Sequence, residues 1–97
     1  MKPLPDDAEA HRRTAELTEA TVPAGLRRRH TTKAGVWGRI RVLEGRLRYR
    51  ILEPEIEEHV LEPGRDGVVE PGVPHEVEPL GAVRFFVEFL HRPEPRP

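Results

Sequence analysis

Glu70-Pro71-Gly72-Val73-Pro74-His75 decides how this chain is read. The apolar run Gly67-Val68-Val69 leads into it, and the alternating run Glu76-Val77-Glu78 leaves it. Pro71 and Pro74 restrict the backbone on both sides of a turn. The turn therefore delivers one histidine, rigidly held, at the start of a strand. A histidine in that position suits metal ligation or proton chemistry.

Strand signals continue on both sides of this turn. Val36 to Leu43 alternates apolar and polar residues, and Glu44-Gly45 supplies a turn. Arg46 to Leu52 alternates again, with Leu47, Tyr49 and Ile51 on one face. Glu58-His59-Val60-Leu61 reads as a further short strand after Pro54. Pro63-Gly64 and Asp66-Gly67 punctuate the chain before Val68. Val83 to Leu90 is apolar on nearly both faces, as in a central strand. Many short strands with turns at this spacing predict an all-β barrel or sandwich.

The organisation is a polar arm over residues 1–25, packing on a β-rich body over 26–91, and a proline-rich tail over 92–97. Local propensity over Asp7–Ala20 favours helix, with Asp6 or Asp7 as N-cap. Its apolar residues, Ala8, Ala10, Ala15 and Leu17, make a poor stripe. Pro23 and Gly25 end the segment.

Ninety-seven residues make one domain. With 36% hydrophobic and 34% charged residues, its core is lean. A formal net charge of −1 gives no overall attraction to nucleic acid or anionic membrane. No apolar run is long enough to span a bilayer. The first residues carry no apolar signal core, so a cytoplasmic protein is expected. With no cysteine, a disulfide framework, a thiolate metal site and a cysteine nucleophile are all excluded. Any metal would sit on His, Asp or Glu.

Four pieces, in order, resemble one family. They are His30-Thr-Thr-Lys-Ala-Gly-Val-Trp-Gly, Val42-Leu43-Glu44-Gly45-Arg46-Leu47-Arg48-Tyr49, Pro71-Gly-Val-Pro-His75 and Phe85-Phe86-Val87-Glu88-Phe89. Together with Thr21 to Leu26 they are similar to the TehB/YeaR-like domain, over roughly residues 12–91. The resemblance implies a single small cupin-like (double-stranded) β-barrel or jelly roll with an irregular or extended N-terminal arm. Through the family name it implies a link to tellurite or oxidative stress resistance. The histidine of the second cupin motif falls on His75, the family's first histidine on His30, and its last-strand acid on Glu88. His59 matches a histidine of some members. The first motif departs from standard cupins. It lacks His-x-His, and Gly38 stands near the place of the glutamate, so a three-histidine-plus-glutamate site does not carry over whole. TehB-like proteins can carry a methyltransferase after this domain. These residues hold no glycine-rich cofactor loop, and methyl transfer is not expected of them.

Chemistry read from the residues runs in parallel. Imidazoles and a carboxylate on distant strands can converge near a barrel mouth and bind a divalent transition metal. Zn is the first choice, with Fe, Ni, Mn or Cu as alternatives. His30, His75 and Glu88 would give a facial set with open positions, and His59 would make it a closed four-ligand site. Both sets stay open. Each residue also has a plainer role. His75 can cap its turn, His30 can lie on the surface after Arg27-Arg28-Arg29, Glu88 can pair with Arg39, and His59 can belong to a solvated strand end. His11 and His91 read as surface residues. Trp37 and Tyr49 are expected in the core or as pocket wall, and Phe86 in the core or at a dimer contact.

Arg39, Arg41, Arg46, Arg48 and Arg50 would decorate one face and could bind phosphate. Glu53, Glu55, Glu57, Glu58, Glu76 and Glu78 are numerous enough to pair with them instead. With one aromatic interleaved, a nucleic-acid surface is not expected.

Three functions follow. The first is a cupin-like metal-binding module holding a small molecule or oxyanion. The second is a metal-dependent enzyme activating water or dioxygen. The third is a metal-free binding or dimerisation module. A homodimer suits all three.

Overall fold

One long strand organises the molecule. The structure, a computed structural model, describes residues 1–93; the rest of the expected tail, 94–97, lies outside them. The elements are β1 (Glu9–Arg13), β2 (Leu17–Thr18), a 3-10 turn (Ala24–Arg27), β3 (Trp37–Ile51), β4 (Glu57–Leu61), β5 (Gly67–Val69) and β6 (His75–His91). All pairings are antiparallel, and the sheet runs β1-β6-β3-β4. β2 adds to β6, and β5 adds to β3. The all-β class stands as the sequence indicates. The path does not close on itself, so this is an open, curled sheet compatible with a small cupin-like barrel.

Glu44-Gly45 does not reverse the chain as the sequence suggested. β3 runs through it for 15 residues beside the 17-residue β6. What occurs there is a pair of bulges, between Val42 and Glu44 and between Gly45 and Leu47. They switch the inward parity. Gly38, Ile40 and Val42 are buried before the bulges; Leu47, Tyr49 and Ile51 are buried after them. Such irregularities bend a strand. The bend brings both halves of the β3–β6 ribbon into one core cluster, with Ile40, Leu47, Tyr49 and Phe85 almost fully buried. Each large apolar side chain buried there is worth about 1.5–3 kcal/mol.

Gly45 makes the bend possible. Its φ is +77°, and a Cβ would lie 2.0 Å from the carbonyl oxygen of Ala82 on the neighbouring strand. Glycine alone fits both conditions at little cost.

β6 is a central strand, as its two-sided apolar pattern predicts. Val83, Phe85 and Val87 belong to the core cluster. Phe86 is also buried, and the guanidinium of Arg13 sits 4.4 Å above its ring centroid. The outer edge of β6 is covered by the arm. Helix propensity over Asp7–Ala20 is overruled because that segment lacks an apolar stripe, while β6 offers unpaired backbone groups. Thr14 N–H donates to the Val87 carbonyl at 2.9 Å, and Val87 N–H donates to Thr14 Oγ1 at 3.1 Å.

The arginines meet acids across the strands. Arg48 pairs with Glu78 (3.1 Å), Arg50 with Glu58 and Glu76, and Arg84 with Glu44 and Glu16. Exposed pairs of this kind contribute about 0–1 kcal/mol each. Among the described residues no helix is long and apolar enough to cross a membrane.

Candidate functional site

The Pro71–Pro74 turn performs the task read from its sequence. Gly72 takes a positive φ, and Val73 N–H closes the turn on the Glu70 carbonyl. His75 then starts β6 opposite Ile51. On its other side it forms an isolated antiparallel bridge with His30. His30 N–H donates to the His75 carbonyl at 2.7 Å, and His75 N–H donates to the His30 carbonyl at 2.9 Å. The backbone thus sets two imidazoles side by side, 45 residues apart in sequence.

The His75 tautomer follows from its partner. His75 Nδ1 lies 3.1 Å from the Val73 carbonyl, which can only accept, so Nδ1 carries the proton. In neutral His75 Nε2 carries the lone pair, and it accepts from His30 Nδ1–H at 3.4 Å. The rings meet edge to face. His75 is 4% exposed. Burial holds its pKa below the ordinary histidine value, the neighbouring His30 adds to that, and the Val73 hydrogen bond opposes it. His75 is therefore a neutral donor ligand or hydrogen-bond acceptor at physiological pH.

This pair borders a cavity of about 290 Å³ between the two halves of the bent sheet. Ile40, Phe85, Val87 and Phe89 come from one half, and His75 and Val77 from the other. Pro23, from the arm, and Leu26, on the 3-10 turn, also wall it. Apart from the histidines and two threonines, the named lining is apolar. Gly38 also faces it. A Cβ there would lie 3.1 Å from Val69 Cβ, so this glycine serves the close packing of β5 on β3. The size lies at the lower end for small-molecule sites, which span about 300–1,000 Å³.

Two nitrogens at 3.4 Å suit a shared metal. Two imidazoles bound at about 2.0–2.1 Å with a tetrahedral angle between them stand roughly 3.3–3.4 Å apart. The donor set fits two ligand positions of a divalent transition ion.

The other expected ligands lie elsewhere. Glu88 belongs to the opposite face of β6 from Val87 and Phe89. It accepts from Arg39 at 3.0 Å and lies 3.7 Å from Arg41. Its carboxylate is 15% exposed, so these two cations offset its burial. His59 sits on β4 opposite Tyr49, with β3 between it and β6. Its Nε2 is shut from solvent with no hydrogen-bond partner among the described residues, and Glu57 is 3.8 Å away. Neither residue lines the cavity. Among the described residues, no three of His, Asp and Glu gather as a metal-holding group. Of the four expected ligands the structure brings His30 and His75 together and places the other two apart from them, because strand parity turns Glu88 outward and β3 separates His59 from His75.

Of the expected wall residues, Tyr49 is a core residue 1% exposed. Its ring meets that of His75 edge to face at 5.9 Å, and its hydroxyl donates to the Val68 carbonyl at 2.9 Å. Burial, then the charges of Glu70 and Glu57, push its pKa up, which keeps the phenol protonated. Trp37 lines a separate surface groove with His91 and Arg92. The arm residues of the cavity wall were not identified from sequence. Gly38, an inward glycine inside a strand, marks the close approach of Val69 and gives no signal of the chamber.

Fold and site together define a small all-β domain with a histidine-flanked apolar chamber. The chain belongs to the TehB-like domain family, whose profile matches residues 12–87. It is similar to a protein of known crystal structure from E. coli (strain K12), with 27% identity and a TM-score of 0.87, covering 97% of this chain and 100% of that one. It is also similar to TehB from Haemophilus influenzae, with 27% identity and a TM-score of 0.82, over 90% of this chain and 32% of that one. The chain thus spans about a third of that TehB. No curated protein matches it.

Proposed function

We propose that this domain binds a small, largely apolar molecule in the chamber, with the molecule's polar group against His30 and His75, and that the pair holds a divalent transition metal, Zn first. The observation that carries this is the lone-pair nitrogen Nε2 of buried His75, met within the protein only by His30 Nδ1 at 3.4 Å among the described residues, on the wall of an apolar cavity. When bound, the ion would supply a positive charge and open positions for a donor group of the ligand. The chain's own residues do the rest. The Val73 carbonyl orients His75, and the apolar wall excludes water from the ligand's body. Tellurite or oxidative stress resistance is the cellular setting that the family name suggests.

The test is elemental mass spectrometry on protein purified without chelator, with His30→Ala, His75→Ala and Glu88→Gln beside it. Near-stoichiometric metal is expected in the wild type and in Glu88→Gln, and loss in both histidine variants while their circular dichroism is unchanged. A wild type that takes up no Zn, Fe, Mn, Ni or Cu removes the metal from the proposal. The chamber is tested separately with octanol. It should raise the melting temperature of the wild type and not that of Leu26→Trp, in which the indole fills the chamber from the half-buried 3-10 turn.

A further inference from the structure

A second cavity, of about 460 Å³, adjoins the chamber and shares His30, Thr32 and Phe89 with it. Its character is different. Arg12 and Lys33 line it, both exposed, and no carboxylate lines either cavity. Most arginines of the sheet are matched to acids, including Arg39, Arg41, Arg48, Arg50 and Arg84. Arg12 and Lys33 have no carboxylate within ion-pair distance among the described residues. The Arg12 guanidinium is instead held over the ring of Phe89, 4.6 Å from its centroid. Phe89 is a wall of both cavities, so this contact fixes the cation at their boundary, and its N–H donors have no side-chain partner among the described residues. Lys33 sits outside the strands, in the loop whose Thr32 hydroxyl is tied to the Val36 carbonyl.

An apolar chamber that opens on a cationic vestibule selects for amphiphilic anions. We infer that the ligand is a small carboxylate with an apolar tail, its tail in the chamber and its carboxylate at the chamber's His30 end, within reach of Arg12 and Lys33. This rests on the reading of the chamber as a ligand site. A neutral molecule of equal length would fill the chamber and leave both cations without a partner. A carboxylate adds charge-assisted hydrogen bonds, of which the guanidinium can give two in parallel.

Octanoate and octanol, matched in length, separate the two parts. Binding is measured by calorimetry at low ionic strength, where exposed charges are least screened. Octanoate should bind roughly tenfold or more tighter than octanol, the order of one charge-assisted contact. Arg12→Gln combined with Lys33→Gln should reduce octanoate to the level of octanol and leave octanol unchanged. Lys33→Gln alone gives part of that loss at a position outside the strands, should the change at Arg12 loosen β1. Equal affinity for the two probes, with both blocked by Leu26→Trp, would overturn the anionic ligand and leave the chamber standing. Octanoate binding that survives Leu26→Trp would also overturn it, as surface attraction without the chamber. If neither probe binds, the chamber reading fails and this inference with it.

Discussion

Replacing Gly45 with alanine should damage this fold far more than the same change at Gly81. Both glycines have positive φ, +77° and +88°. A Cβ at Gly81 would meet nothing within 4 Å. Gly81→Ala therefore carries only the backbone penalty, about 1–2 kcal/mol for a left-handed L-residue. At Gly45 the Cβ would sit 2.0 Å from the Ala82 carbonyl oxygen and 3.0 Å from Val83 Cα. Those are backbone atoms of the paired strand, so no rotamer change relieves the overlap. β3 and β6 would have to separate there, with a further cost of about 1–3 kcal/mol as in overpacked cores. The sum is about 2–5 kcal/mol, against about 5–15 kcal/mol for the total stability of a typical domain. With an m value of about 1.5 kcal/mol/M in urea, the midpoint falls by roughly 1.3–3.3 M for Gly45→Ala and 0.7–1.3 M for Gly81→Ala. The assay is equilibrium urea unfolding followed by near-ultraviolet circular dichroism of Trp37 and Tyr49. Equal midpoints for the two variants would refute the claim that this close crossing holds the bend. The chamber lies between the halves that the bend brings together, so octanol binding should weaken in Gly45→Ala and persist in Gly81→Ala.

Two further outcomes follow from side chains near the site. Tyr49→Phe leaves the Val68 carbonyl without the donor it has at 2.9 Å, and stability should fall by about 1–3 kcal/mol in the same urea assay; a loss under about 0.5 kcal/mol would show that solvent replaces the hydroxyl. His75 has its folded pKa held below 6.5, chiefly by burial, so the unfolded chain binds its proton more readily. Its contribution is complete above pH 6.5 and is lost as pH falls from there toward the lower folded value. Glu19, Glu57 and Glu58 are held below 4.5, so their own losses begin further into acid. Melting temperature should therefore drop as pH falls below 6.5 in the wild type and stay flatter in His75→Gln; parallel curves would contradict the assignment.

The strand character of the body was legible because alternation is a local property. Leu47, Tyr49 and Ile51 show it within a single strand, and their inward placement needed no partner to be known. His75 was legible for a similar reason, since two prolines and a glycine define its turn over six residues. The arm was not decided locally. Asp7–Ala20 has helix propensity, but the unpaired edge of β6 takes that segment as strand. Glu44-Gly45 has the composition of a turn, and only the approach of Ala82 from the neighbouring strand makes it a bend within one strand.

The same division runs through the site. That any metal in a cysteine-free chain would sit on His, Asp or Glu follows from composition, and the family resemblance narrowed the candidates to His30, His59, His75 and Glu88. Which of them meet was decided by pairing. The bridge between His30 and His75 joins them, strand parity gives Glu88 to Arg39 and Arg41, and β3 separates His59 from His75. The physical reason is range. Residue type and alternation act over a few neighbours, whereas the chamber, the histidine pair and the cationic vestibule each join segments far apart in the chain, and only the bend of β3 against β6 brings those segments within reach of one ligand.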